Sequence, residues 1–238
     1  MRKIKSILIA VALLFIGSTA QSQVLISLLL GDKLNSDGLE FGLEGGFNWS
    51  GISHLEANTQ LSSFNLGFYF DIRLKNQWNL YTGLLVKAKM GDDKLTANDL
   101  VFLEITPKAE EGTYSQKINY FVAPVLIKYN FKNRIYLEAG PQFSLMHKAW
   151  VEFNSEIDDR KTKIKDFNRD KINWFDAGLT IGTGYKLMAE SGMTLGVKYY
   201  YGLANVYHGV SGTNNSSFFV KLNIPIGVAK SKEKTESK

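Results

Sequence analysis

"RIYLEAGPQFSLMHK", residues 134–148, alternates between two kinds of side chain along its length. Ile135, Leu137, Ala139, Pro141, Phe143 and Leu145 form an apolar set, while Tyr136, Glu138, Gly140, Gln142, Ser144 and Met146 form a set that is mostly polar or tiny. A period of two belongs to an antiparallel strand whose two faces meet unlike surroundings. The fold turns on which of these sets faces inward.

The same alternation recurs through the chain. In a first strand Leu39, Phe41, Leu43, Phe47 and Trp49 oppose Glu40, Gly42, Glu44, Gly46 and Asn48. A second sets Phe64, Leu66, Phe68, Phe70 and Ile72 against Asn65, Gly67, Tyr69, Asp71 and Arg73. A third sets Trp78, Leu80, Leu84, Val86 and Ala88 against Tyr81, Gly83, Lys87 and Lys89. The fourth, "KINYFVAPVLIKYNF", is apolar on both sides in its middle; Phe121, Ala123, Val125, Ile127 and Tyr129 are assigned to the apolar face, with Lys128 opposite. The opening stretch is the fifth. The sixth pairs Phe175, Leu179 and Ile181 against Asp176, Gly178 and Gly182, and the seventh Leu195, Val197, Tyr199 and Tyr201 against Gly196, Lys198 and Gly202. In the eighth Phe218, Val220, Leu222 and Ile224 oppose Phe219, Lys221 and Asn223.

The links between these strands alternate strictly between short and long. "KN" joins the fourth and fifth strands, whereas "GDDKLTANDLVFLEITPKAEEGTYS" joins the third and fourth and "VEFNSEIDDRKTKIKDFNRDK" the fifth and sixth. Tight turns at one end and long polar loops at the other describe an all-β, eight-stranded antiparallel up-and-down transmembrane β-barrel with both termini on the periplasmic side. The polar set settles the inward face. Glu40, Glu44, Asp71, Arg73, Lys87, Lys89, Glu138, Asp176, Lys198 and Lys221, with glycines between them, are too many charges for a soluble core. The apolar set would be an enormous exposed patch in water, so it is expected to face lipid. Trp49, Trp78, Tyr129, Tyr185, Tyr199 and Tyr201 fall at or near strand ends on that outward face, where amphipathic rings sit at a membrane interface. The competing reading is a soluble lipocalin-like barrel with the apolar face turned inward around a hydrophobic ligand.

The ends of the chain fit export. "MRKIKSILIAVALLFIGSTA" has a basic start, an apolar run and a small-x-small end, which reads as a signal peptide at residues 1–20. Residues 21–38 are then an N-terminal extension, 39–227 the barrel and 228–238 a charged tail. The formal net charge of +5 comes from the ends: Arg2, Lys3 and Lys5 supply three, and four Lys against Glu233 and Glu236 in the tail supply two. Nothing basic remains between them, so nucleic acid is not a partner. The chain has no cysteine, which removes disulfides, thiolate metal sites and a catalytic Cys.

"LLLGDKLNSDGLEFGLEGGFNWSGIS" together with "LSSFNLGFYFDIRLKNQWNLYTGLLVK" resembles the PorT-like outer-membrane β-barrel proteins of Bacteroidetes, over about residues 28–227. The resemblance implies an integral outer-membrane barrel, a cell outer membrane location, and for some relatives a part in secretion or maturation of exported proteins. It supplies no functional residues. The departure from the pattern is "VAKSKEKTESK" after the last strand, where outer-membrane strands commonly end in an aromatic residue.

Catalytic, cofactor-binding and metal residues are all read as none. His54, His147 and His208 lack a second His at a ligating spacing. Ser144 lies on the opposite strand face from His147, which argues against a hydrolase pair and leaves an outer-membrane lipid-modifying enzyme as an alternative only. Gly182-Thr183-Gly184 has no Lys-Ser/Thr and no following helix, so it is read as small interior residues rather than a phosphate loop. Asp92, Asp93, Asp99, Glu110 and Glu111 match no Ca²⁺ loop and are read as solvated surface. An eight-stranded bore is about wide enough for its own side chains, so a porin is not expected. The expectation is a non-enzymatic barrel with a structural or secretion- and assembly-accessory role. Its partners are outer membrane lipid and, through the long loops, other envelope or secretion proteins.

Overall fold

The computed structural model describes residues 38–57, 59–157, 160–187 and 192–226. The expected signal peptide, the N-terminal extension up to residue 37 with its apolar run at residues 24–30, and the charged tail lie outside the described residues.

Among the described residues nine antiparallel strands are present: β1 (Leu39–Ile52), β2 (Thr59–Lys75), β3 (Trp78–Asp93), β4 (Thr113–Asn130), β5 (Ile135–Ile157), β6 (Arg160–Phe167), β7 (Phe175–Lys186), β8 (Thr194–Asn205) and β9 (Asn214–Pro225). Eight of them close a ring. β1 pairs with β2 on one side and β9 on the other, β4 pairs with β5, and β5 with β7. Closure leaves no unpaired edge around the ring, which a hydrocarbon environment demands because it offers the backbone no water. β6 stands outside it. It pairs only with the upper part of β5, from Trp150↔Phe167 to Ile157↔Arg160, as a two-stranded tongue.

The apolar set faces outward. Leu137, Phe143 and Leu145 on β5, Leu179 and Ile181 on β7 and Leu195, Tyr199 and Tyr201 on β8 are exposed, while Glu138, Gln142, Ser144, Thr180, Lys198 and Tyr200 are buried. β4 follows the expected facing, with Phe121, Val125 and Ile127 outward and Lys128 inward. The soluble lipocalin-like arrangement is therefore overturned, since its apolar face would have to line the bore. Trp78, Tyr129 and Phe131 pack edge to face near the short-turn end, with centroids 4.8 Å apart in each pair.

Three expectations need correction. Lys87 and Lys89 do not line the bore: a bulge in the β3–β4 register between Leu85 and Ala88 reverses the facing, so Ala88 and Met90 turn inward and Lys89 outward. Arg73, near the end of β2, lies at the exposed mouth of the bore rather than within it. The link after the fifth strand is largely not a loop, because residues 149–157 prolong β5 and residues 160–167 form β6.

Tilted strands approach closely inside a narrow barrel, and glycine is what lets them. A methyl group on Gly46 would overlap the Val220 carbonyl of β9, whereas one on Gly45, facing out, makes ordinary contacts with Leu66 Cδ1 at 3.8 Å and the Asn65 carbonyl at 3.9 Å. Gly46→Ala should therefore cost about 1–3 kcal/mol and reduce the folded, heat-modifiable band on unboiled gels. Its neighbour Gly45→Ala should leave that band unchanged.

Candidate functional site

The lower half of the bore, nearest the short turns, is filled by ion pairs between strands that are not neighbours in the ring. Lys198 reaches Glu44 at 2.9 Å, Lys221 reaches Glu138 at 2.6 Å and Lys128 reaches Asp71 at 2.6 Å. Three acids thus meet three bases. Tyr81 stands among them: its hydroxyl donates to Glu44 and accepts from Asn223 Nδ2 at 2.7 Å, and the Lys221 ammonium lies 4.0 Å from its ring centroid. Lys128 sits 4.3 Å from the Tyr136 ring, and Asn79 donates to Asp71 at 2.5 Å. β7 gives no charge here but gives space, because Gly184, with Gly196 of β8, lies beneath the Tyr136 hydroxyl and Gly182 lies beside Glu138. Gly182-Thr183-Gly184 is thus small interior packing, with the Thr183 hydroxyl donating to the Tyr136 carbonyl at 2.8 Å.

Toward the long-loop end the interior turns apolar. Leu85, Met90, Ile118, Val122, Val151 and Phe153 form a core with Tyr120, Tyr200 and Phe219. A helix in the β3–β4 loop, α1 (Ala97–Phe102), closes the mouth above it, with Leu100 and Leu103 buried in that core. Thr96 and Asp99 form a reciprocal capping box at its start. The other long loops fasten it down. Asp99 also accepts from the Glu56 backbone at 2.7 Å, Lys171 donates to the Leu103 carbonyl at 3.0 Å, and Phe102 packs edge to face on Tyr207 at 5.2 Å.

The loop carboxylates are accordingly only in part a solvated surface. Asp92 and Asp99 are buried, and Asp92 accepts from the Ile52 backbone at 2.6 Å. Asp93 accepts from Ser115 at 2.5 Å and Glu110 from Ser155 at 2.7 Å. Glu110 and Glu111 remain exposed. Among the described residues no group of three or more His, Cys, Asp or Glu is placed to hold a metal. His147 stacks on Phe121 at 4.6 Å and His54 packs at a tilt against Phe102 at 5.1 Å, while Ser144 is buried on the inner face. No nucleophile and base are brought together there.

Open to a partner, among the described residues, are a cavity and a wall. A cavity of about 480 Å³ at the short-turn end is lined by Glu40, Arg73, Lys132, Arg134 and Lys186 and ends on the Lys128–Asp71 pair. The other is the wall formed by β3 to β6, where β4 and β5 stay paired up to Thr113↔Asn154, well above the last β5–β7 pair at Leu145↔Phe175.

Breaking one pair in the bore should be costly, because a lone buried charge is left behind. Lys221→Met should lower stability by about 3–5 kcal/mol, read from the temperature at which the folded gel band is lost. Adding Glu138→Leu should recover part of that loss.

The family model described as "Outer membrane protein beta-barrel domain" matches residues 20–208. Among solved structures, Ail, the attachment invasion locus protein of Yersinia pestis, in complex with the heparin analogue sucrose octasulfate, is similar at 8% identity and a TM-score of 0.43, over 79% of this chain and 99% of that one. Neisserial surface protein A is similar at 10% identity and a TM-score of 0.40, over 79% of this chain and 98% of that one. OprG of Pseudomonas aeruginosa gives 13% identity and a TM-score of 0.37, over 79% and 93%. No curated protein matches the chain. With the family model covering most of its length, the chain belongs to the outer membrane protein β-barrel domain family and resides in the outer membrane.

Proposed function

We propose that this protein is a non-conducting, non-catalytic outer-membrane barrel that serves as a structural or secretion- and assembly-accessory element of the envelope. Its working surface is the long-loop end, which in this reading faces outside, with the β5–β6 tongue as the part that reaches furthest.

The observation that carries this reading is the double closure of the bore. Charged side chains meeting at 2.6–2.9 Å fill its lower half, and an apolar core roofed by α1 fills the upper half. A solute would have to break buried ion pairs and then displace a packed helix. Each such pair costs several kcal/mol to open, so the resting barrel does not conduct. The PorT-like resemblance supports the accessory role, which is one role described for such proteins.

Purified full-length protein in planar lipid bilayers should give no discrete conductance steps. Leu100→Asp, which loosens the α1 roof, should leave it silent, because the ion-paired layer beneath stays shut. Regular single-channel openings from the unaltered protein would contradict this reading.

A further inference from the structure

The outer face of the tall wall carries a concentration of positive charge that neither the fold nor the closed bore requires. Trp150 points outward, yet is only 5% exposed because lysine side chains cover it. The ammonium groups of Lys165, Lys89 and Lys148 lie 4.8, 5.6 and 6.0 Å from its ring centroid. Beside it Glu152, 4% exposed, accepts from Lys117 at 2.6 Å, with Lys163 at 3.5 Å and Lys165 at 3.9 Å. Burial raises the Glu152 carboxyl, but hydrogen bonds from Lys117 and Trp150 and the Lys117 charge outweigh it and bring it down to about 2.

Five ammonium groups from four strands therefore gather around one carboxylate and one indole. The nearby acids do not complete the balance: Glu156 is paired with Lys161 at 3.4 Å, and Asp93, which accepts from Ser115, offsets one charge and still leaves the cluster positive. Like charges crowded this way repel unless an anion joins them. Their height on the wall indicates what that anion is. On β5 the lipid-facing series ends at Leu145, a register shift follows at His147, and Lys148 and Trp150 come next. On β4 Lys117 lies above Phe121, and on β3 Lys89 lies above Leu84 and Val86. The lysines thus begin where the apolar band stops, at the depth of lipid headgroups rather than of acyl chains or open water.

We propose that this patch, Lys89, Lys117, Lys148, Lys163 and Lys165 around Trp150, is a binding site for the phosphorylated sugar headgroup of an outer-leaflet glycolipid. The ammonium groups pair with its phosphates, the buried indole supports the lysine stems from beneath, and Glu152 holds Lys117 and Lys163 in place. The site is on the outer wall and stands independently of the partner role given to the loop end.

The test uses the full chain in detergent micelles, with bisphosphorylated lipid A, its dephosphorylated form and inorganic phosphate as probes. Bisphosphorylated lipid A should bind, and Lys89→Gln/Lys117→Gln/Lys165→Gln should weaken it by about tenfold or more. The matching triple Lys→Arg variant should retain binding, as should Lys161→Gln. Raising the salt should weaken binding to the unaltered protein, a readout that needs no variant to fold. Equal binding of the dephosphorylated lipid, unchanged binding by the triple Gln variant, or equally tight binding of inorganic phosphate alone would overturn the proposal.

Discussion

Everything in this molecule depends on charge compensation inside a closed ring. Hydrocarbon solvates neither a backbone amide nor an ammonium group, so a strand with Glu138 or Lys198 on one face can cross it only with that face enclosed. Enclosure in turn works only if the charges neutralise one another. Glu44, Asp71 and Glu138 against Lys128, Lys198 and Lys221 do so at direct contact distances. The glycines opposite them are part of the same constraint, because Tyr136 fits across the bore only where Gly184 and Gly196 have no side chain.

This constraint acts over the membrane-spanning stretch and lapses above it. Below residue 145 of β5 the alternation is strict and its polar side is buried. Beyond the register shift near His147 the rule changes: apolar Ala149, Val151 and Phe153 face the interior, while Trp150 and Glu152 face out. The barrel thus has an ionic lower storey and an apolar upper one. The upper one resembles a small soluble core, with α1 as its lid and lysines on its outer wall.

The two storeys explain what could be read from sequence. A period of two with a charged side is a one-dimensional signal, and it gave the ring, the facing of β4 and the inward Lys128 directly. The loop-end structure rests on events that alternation does not encode. A single bulge moved Lys87 and Lys89 from the expected interior to the outer surface. The burial of Asp92 and Asp99 depends on contacts with Ile52 and Glu56 from another loop, far along the chain. Two signals were nonetheless present. Thr96 and Asp99 have the spacing of a capping box, and Lys161, Lys163 and Lys165 alternate with Thr162, Ile164 and Asp166 as a strand does. The high charge of that segment masked its period.

Because the chain has no cysteine, single cysteines can be placed at will. The most direct test of the whole account is reaction of such cysteines with a label dissolved in the lipid phase of native outer membranes. Cysteines at Leu137 and Val197 should be tagged, and those at Glu138 and Lys198 should be spared. Tagging at 138 and 198 with protection at 137 and 197 would contradict the orientation on which the account stands.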